Sequence, residues 1–153
     1  MPLNDLVAPQ AIIPALKVIS KKQAIQELAA KAAELTGQNE RAVFEVLLQR
    51  EKLGTTAVGY GVAIPHGKLP KLTRMFGLFA RLDRAIDFEA LDGQPVDLVF
   101  LLLAPEGAGA DHLKALARVE RLLRGQDTAN KLRAARDAEA IYAVLAMPPA
   151  TAA

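Results

Sequence analysis

The chain has no cysteine and no tryptophan, a single serine (Ser20) and only two histidines, His66 and His112, in 153 residues. Without thiols there can be no disulfide, no thiolate nucleophile and no cysteine-held zinc. The lone serine lies in no Gly-x-Ser-x-Gly elbow, which leaves no basis for a Ser–His–Asp hydrolase. Aromatic residues make up 5% against 52% apolar, so the core is aliphatic. The longest unbroken apolar run, Leu98–Ala104, is far short of the roughly 20 residues of a membrane helix. The opening Met-Pro-Leu-Asn-Asp has no basic segment followed by an apolar one, so no secretion signal or membrane insertion is expected and the cytoplasm is the expected compartment. Net charge is only +2, with acids and bases alternating, and no basic face is interleaved with aromatics, so nucleic acid is not an expected partner. Arg118, Arg121, Arg124, Arg133 and Arg136 read as a solvated helix surface, with a docking face for an acidic protein as the alternative.

What is present alternates between strand and helix signals along one domain, 1–147, followed by a disordered tail at 148–153. Pro9 and Pro14 block a helix near the start and leave a turn followed by a strand around Ala15–Ile19. Ser20 and Gln23 have capping-box spacing ahead of a helix that ends at Gly37. Asn39 caps a second helix carrying Val43, Val46 and Leu47, which Gly54 stops. Strands are expected at Val62–Ile64, Met75–Leu82 and Val96–Ala104, with a turn at Asp92-Gly93. The last of these is apolar almost throughout, as in a strand covered on both faces. Asp111, Asp127 and Asp137 read as caps of three closing helices. The expected fold is α/β, a three-layer αβα sandwich with a mixed central sheet of four to five strands flanked by helices on both faces.

The segment Gly59–Lys68, Gly-Tyr-Gly-Val-Ala-Ile-Pro-His-Gly-Lys, carries the chemistry. Pro65 cannot donate to a sheet ladder and so ends the strand before His66. Gly67 leaves room for a backbone N–H to approach an anion, and Lys68 adds positive charge. The two glycines at 59 and 61 fail the dinucleotide fingerprint, because position 64 is isoleucine, and serve as tight turns. No His-x-His or His-Glu-x-x-His spacing suggests a metal, and no cofactor is expected. An imidazole with a reference pKa near 6.5 is a competent nucleophile at neutral pH, and its phosphoramidate is a high-energy carrier of phosphate. His112 opens the helix after the strongest strand, on the same rim as His66. A surface histidine without chemistry remains the plain alternative for each.

Phe44-Glu45, Arg50-Glu51-Lys52-Leu53-Gly54-Thr55-Thr56, the Pro65-His66-Gly67-Lys68 element and Asp92-Gly93-Gln94-Pro95-Val96-Asp97-Leu98 together resemble the enzyme IIA domains of the bacterial phosphotransferase system. The likeness is to the mannitol/fructose type, above all its nitrogen-regulatory branch, and runs from Asp5 to Ala146. It implies that His66 is phosphorylated, as tele-phosphohistidine, by a phosphorylated histidine carrier protein. It further implies that His112 and Arg50 belong to the site, with Thr55, Thr56, Gly67 and Lys68 as supports for the phosphate. Tyr60 and Lys68 are candidates for a partner-docking rim. In the regulatory branch the phosphorylation state is read by targets such as potassium-transport or sensor-kinase components. A sugar-transport IIA that hands phosphate to a IIB partner, and an interaction module that is never phosphorylated, are the alternatives.

Overall fold

The computed structural model describes residues 3–147; the expected tail at 148–153 lies outside the described residues. Among the described residues six strands form one mixed sheet with helices packed on it: β1 (Val7–Leu16), α1 (Lys21–Thr36), α2 (Glu40–Lys52), β2 (Ala57–Gly59), β3 (Val62–Ala63), β4 (His66–Leu69), β5 (Phe76–Ile86), β6 (Val96–Pro105), α3 (Ala110–Arg124), α4 (Gln126–Ala134) and α5 (Ala138–Ala146). The strand order is β1-β5-β6-β3-β2, with β4 also paired to β6. The three-layer α/β fold is the expected one, and the two extra strands, β2 and β4, are too short to announce themselves by periodicity.

β6 holds the centre. It pairs antiparallel with β5 on one edge and parallel with β3 and β4 on the other, and Leu98 through Ala104 are all buried. Consecutive residues of a strand point to opposite faces, so this burial means both faces of β6 are covered, and the continuous apolar run follows from that. α1 and α2 pack together, α1 on β5 and α2 on β4, whereas α3 and α4 pack on β6 and α5 on β1.

The first strand differs from expectation. β1 spans Val7–Leu16 and contains both prolines, and Lys17 to Ser20 follow it outside any strand. β1 pairs only with β5, so one side of it needs no ladder, and its register slips between Val7 and Ile12 and between Ile13 and Leu16. An edge strand with such irregularities is where proline is tolerated.

Three helix starts carry the expected caps. Ser20 Oγ accepts from Gln23 N at 3.1 Å, Asn39 Oδ1 from Ala42 N at 3.0 Å and Asp137 Oδ1 from Ala140 N at 2.7 Å. Gln23 reaches back as a capping box requires, but to Ile19 N at 2.8 Å, one residue earlier than the standard pairing. Asp111 and Asp127 are not caps. Gly109 and Gly125 hold those positions without a side-chain bond, and the two acids sit in the first turns, where the helix dipole favours negative charge.

Of the five arginines expected at the surface, Arg121, Arg124 and Arg136 are exposed, whereas Arg118 and Arg133 are tied into the fold. Arg133 grips Asp97 through Nε and Nη2 (2.9 Å each at the shortest) and donates to Tyr60 O at 2.8 Å, tying α4 to the start of β6 and to the β2–β3 turn. Arg118 forms a two-pronged pair with Asp5 at 2.7 and 2.9 Å. Tyr60, at φ 58°, is held on both backbone groups, since its N–H donates to Asp92 Oδ2 at 2.9 Å.

Gly77 of β5 is packed from two sides. A Cβ there would stand 2.7 Å from Leu6 O and 2.8 Å from Phe100 Cζ. Neither backbone nor a buried ring yields cheaply, so Gly77→Ala is expected to lower stability by about 1–3 kcal/mol. Chemical denaturation should show a lower midpoint with an unchanged slope; an unchanged midpoint would refute the packing argument.

Candidate functional site

His66 begins β4, and its position follows from the register. Val62 lies opposite Leu98 and His66 opposite Leu102, the same offset along β6, so β3 and β4 are one strand line interrupted at Ile64-Pro65. The strand ends before Pro65 as expected, but its line does not: Pro65 O accepts from Leu102 N at 2.9 Å, and pairing with β6 resumes at His66 as β4. A Cβ on Gly67 would run into Val46 Cγ1 of α2, so that side of β4 faces α2. Alternation turns His66 to the opposite face, where α3 starts.

Two contacts define the imidazole. Nδ1 lies 2.8 Å from Ile64 O, and since a carbonyl only accepts, Nδ1 carries the proton. Nε2 is then an unprotonated lone pair, and it accepts from Arg50 Nε at 3.3 Å. Arg50 comes from the last turn of α2 and is held a second time by Nη1 to Gly54 O at 2.9 Å. Burial lowers the His66 pKa below its usual value, and the Arg50 cation lowers it further; the Ile64 carbonyl and the Glu51 carboxylate act in the opposite direction. The net result is a neutral ring at pH 7 with its nucleophilic atom facing a guanidinium.

His112 stands beside it, with ring centroids 5.6 Å apart and planes tilted by 50°. The ring is buried at 7% exposure, and its Nδ1 has no hydrogen-bond partner among the described residues. Burial lowers its pKa, assisted by His66 and Lys68. An unpaired ring nitrogen in a buried place is costly unless something else meets it.

The structure thus brings His66, His112 and Arg50 together. It does not aim the two threonine hydroxyls at them. Thr55 Oγ1 donates to Phe88 O at 2.6 Å and accepts from Ala57 N at 3.1 Å, while Thr56 Oγ1 donates to Glu51 Oε2. Gly67 is required by the close approach of Val46, and Lys68 is exposed, adding its charge near His112. Tyr60 stands in the turn before β3, six residues from His66, at the Asp97 end of the strand line.

Glu51 is the residue that sequence reasoning left without a role. Its carboxylate is 4% exposed and receives Lys21 Nζ at 2.9 Å and Thr56 N at 3.1 Å as well as the Thr56 hydroxyl. The signal was present: Val43, Leu47 and Glu51 recur every fourth residue, which puts an acid on the buried stripe of α2. Among the described residues no helix is long and apolar enough to cross a membrane.

The chain is similar in sequence and fold to known proteins. Residues 5–147 match the family described as phosphoenolpyruvate-dependent sugar phosphotransferase system, EIIA 2. The chain is 86% identical over 153 residues to a nitrogen regulatory protein of Bradyrhizobium diazoefficiens, covering 100% of both. The crystal structure of nitrogen regulatory protein IIA-Ntr from Neisseria meningitidis matches with a TM-score of 0.88 at 34% identity, over 94% of this chain and 98% of that one. The Escherichia coli mannitol enzyme IIA, solved in complex with phosphorylated mannitol enzyme IIB, shares the fold at a TM-score of 0.77 and 20% identity, over 92% and 99% of the two chains. The chain belongs to the EIIA 2 family of the phosphoenolpyruvate-dependent sugar phosphotransferase system.

Proposed function

We propose that the protein is a regulatory phosphoryl carrier that accepts a phosphoryl group on His66 Nε2 from a phosphorylated histidine carrier protein and signals through its phosphorylation state. The observation that carries this reading is the tautomer: Nδ1–H is engaged by the Ile64 carbonyl, leaving Nε2 as the free nucleophile. In the transfer the Nε2 lone pair attacks phosphorus as the nitrogen–phosphorus bond of the donor breaks, and the donor imidazole leaves with that electron pair. Nothing else in the covalent chemistry is asked of the protein, and positioning and charge neutralisation do the rest. Arg50 moves its Nε–H from the lone pair to a phosphoryl oxygen, and the unpartnered His112 Nδ1 supplies a second polar contact at the same group. Thr55 and Thr56, whose hydroxyl protons are engaged elsewhere, have no part in this account.

The 86% identity to a protein named as a nitrogen regulator supports the regulatory branch. The fold shared with a mannitol enzyme IIA seen with its IIB partner supports a second reading, in which phosphate passes to a sugar-specific IIB. The two separate on mixing the phosphorylated protein with IIB proteins of the host: a stable phosphoprotein fits the regulatory reading, and rapid discharge fits transport.

Three outcomes test the site. Wild-type protein incubated with a phosphorylated histidine carrier should gain one phosphoryl group, resolved by heteronuclear NMR as an Nε2 adduct, and His66→Ala should gain none; equal labelling of the two would overturn the assignment. Arg50→Lys keeps the charge but loses the planar fork, and His112→Gln removes the ring; each should slow acceptance by about tenfold or more while leaving the fold intact. Unchanged rates in both would reduce the site to a bare histidine.

The third outcome concerns pH. Since burial and Arg50 depress the His66 pKa, its NMR titration midpoint should fall below the ordinary histidine value of about 6.5. Acceptance should be flat above that value and decline as pH falls through the midpoint. The linked stability has the same sign: it is present above the unfolded-state pKa and is lost on acidification through the folded one. A midpoint above the ordinary value would contradict the neutral nucleophile.

A further inference from the structure

Glu51 makes three polar contacts and touches neither histidine. Its Oε1 receives both Lys21 Nζ at 2.9 Å and Thr56 N at 3.1 Å, and its Oε2 receives the Thr56 hydroxyl. Lys21 is itself well covered, at 15% exposure, and lies 5.1 Å above the Phe88 ring. Thr55, the next residue in the strap, donates to the Phe88 carbonyl. The first turn of α1, the last turn of α2, residues 53–56 and Phe88 therefore meet at one buried ion pair.

That strap is also what holds the guanidinium. Arg50 Nη1 donates to Gly54 O, and Gly54 lies between the α2 end and the threonine that Glu51 grips. Gly54 adopts φ 148°, at the edge of the glycine region, so this turn has a definite shape that the Thr56 contacts maintain. With Nη1 fixed on Gly54 O, the planarity of the group directs Nε toward His66 Nε2. The chain of contacts runs Lys21–Glu51–Thr56, Gly54–Arg50, Arg50–His66.

We infer that Glu51 is a positioning residue of the phosphoryl site: through Thr56 and the Gly54 carbonyl it fixes the direction in which Arg50 presents its Nε–H to His66. The inference rests on the carrier reading for its effect on transfer, though the contact chain stands without it. A buried pair of this kind is a poor device for stability alone, since apolar residues of similar size often replace such a pair without loss. Its role in aiming Arg50 is what an apolar pair cannot reproduce.

That difference supplies the experiment. Removing Glu51 alone leaves the covered Lys21 charge with only the exposed Glu89, at 3.4 Å, and threatens the fold, so the main variant is Lys21→Met with Glu51→Met, which restores an apolar filling. It should melt close to wild type, accept phosphate from the phosphorylated histidine carrier about tenfold more slowly, and show a changed NMR signature for the Arg50 guanidinium. Its His66 titration midpoint should move down, because the Glu51 carboxylate acts to raise it. Glu51→Gln keeps acceptors and donors for Thr56 without the charge; it should show the lowered midpoint yet recover most of the rate. If the double variant transfers at the wild-type rate with an unmoved midpoint and Arg50 signal, Glu51 is structural only and the inference fails. If wild type itself accepts no phosphate, the carrier reading fails instead, and the midpoint and guanidinium signals still decide the role of Glu51.

Discussion

The hydrogen bond from His66 Nδ1–H to the Ile64 carbonyl is the constraint on which the rest of the site depends. It exists because of how the strand line is broken. Along β3 and its continuation, Gly61 O and Pro65 O accept from β6, and because carbonyl directions alternate, those of Val62 and Ile64 point to the other edge. On that edge β2 is short: Ile64 N still bonds Thr56 O, but no strand partner follows to take the Ile64 carbonyl. A buried carbonyl needs a donor, and the nearest is the imidazole two residues on. Pro65, with no N–H and a fixed φ, sets that two-residue geometry. One backbone group thus chooses the tautomer, and the tautomer chooses which nitrogen can react.

Electrostatics then act on a ring whose orientation is already set. Arg50 and Lys68 put positive charge around the two histidines, burial removes water from them, and both effects disfavour a protonated imidazole. The same features favour an arriving anion, because a dianionic phosphoryl group gains from every cation that a protonated histidine would lose by. Glu51, the acid that acts on His66, is paired with Lys21 and bound by Thr56, so it moderates the field without repelling a phosphate outright. A neutral nucleophile and an anion site are therefore one electrostatic arrangement seen in two states of the reaction.

Much of this was legible in the residues. Ser20, Asn39 and Asp137 announce their helices because a cap is a local interaction between neighbours in sequence, and β6 announces itself because a doubly covered strand has no polar alternation. His66, Arg50 and His112 were identified by pattern and resemblance, and the structure brings them within contact. The failures were those where a distant partner decides. Pro9 and Pro14 forbid a central strand but not an edge, and edge status is a property of the whole sheet. Asp111 and Asp127 look like caps until Gly109 and Gly125 take those positions. Thr55 and Thr56 lie beside the site in sequence, but Phe88 and Glu51 claim their hydroxyls. The role of Glu51 depends on Lys21, thirty positions earlier, and no local rule pairs them.

The rigidity of this scaffold bears on how a carrier of this kind would be read by its targets. His66 is anchored at both ends, by the ladder with β6 and by its own backbone neighbour, and Arg50 is anchored to a loop that a buried ion pair holds. A phosphoryl group arriving at Nε2 meets donors already in place, so no element has to refold to accommodate it. On the carrier reading proposed above, the change that a partner detects is a local gain of negative charge beside Arg50 and Lys68, with Leu53 and Leu113, both exposed, close by in sequence to Arg50 and His112. Apolar contact of that kind gives affinity with little regard to phosphorylation, whereas the charge reverses the sign of the interaction at its centre. On that reading the protein discriminates by repulsion as much as by attraction.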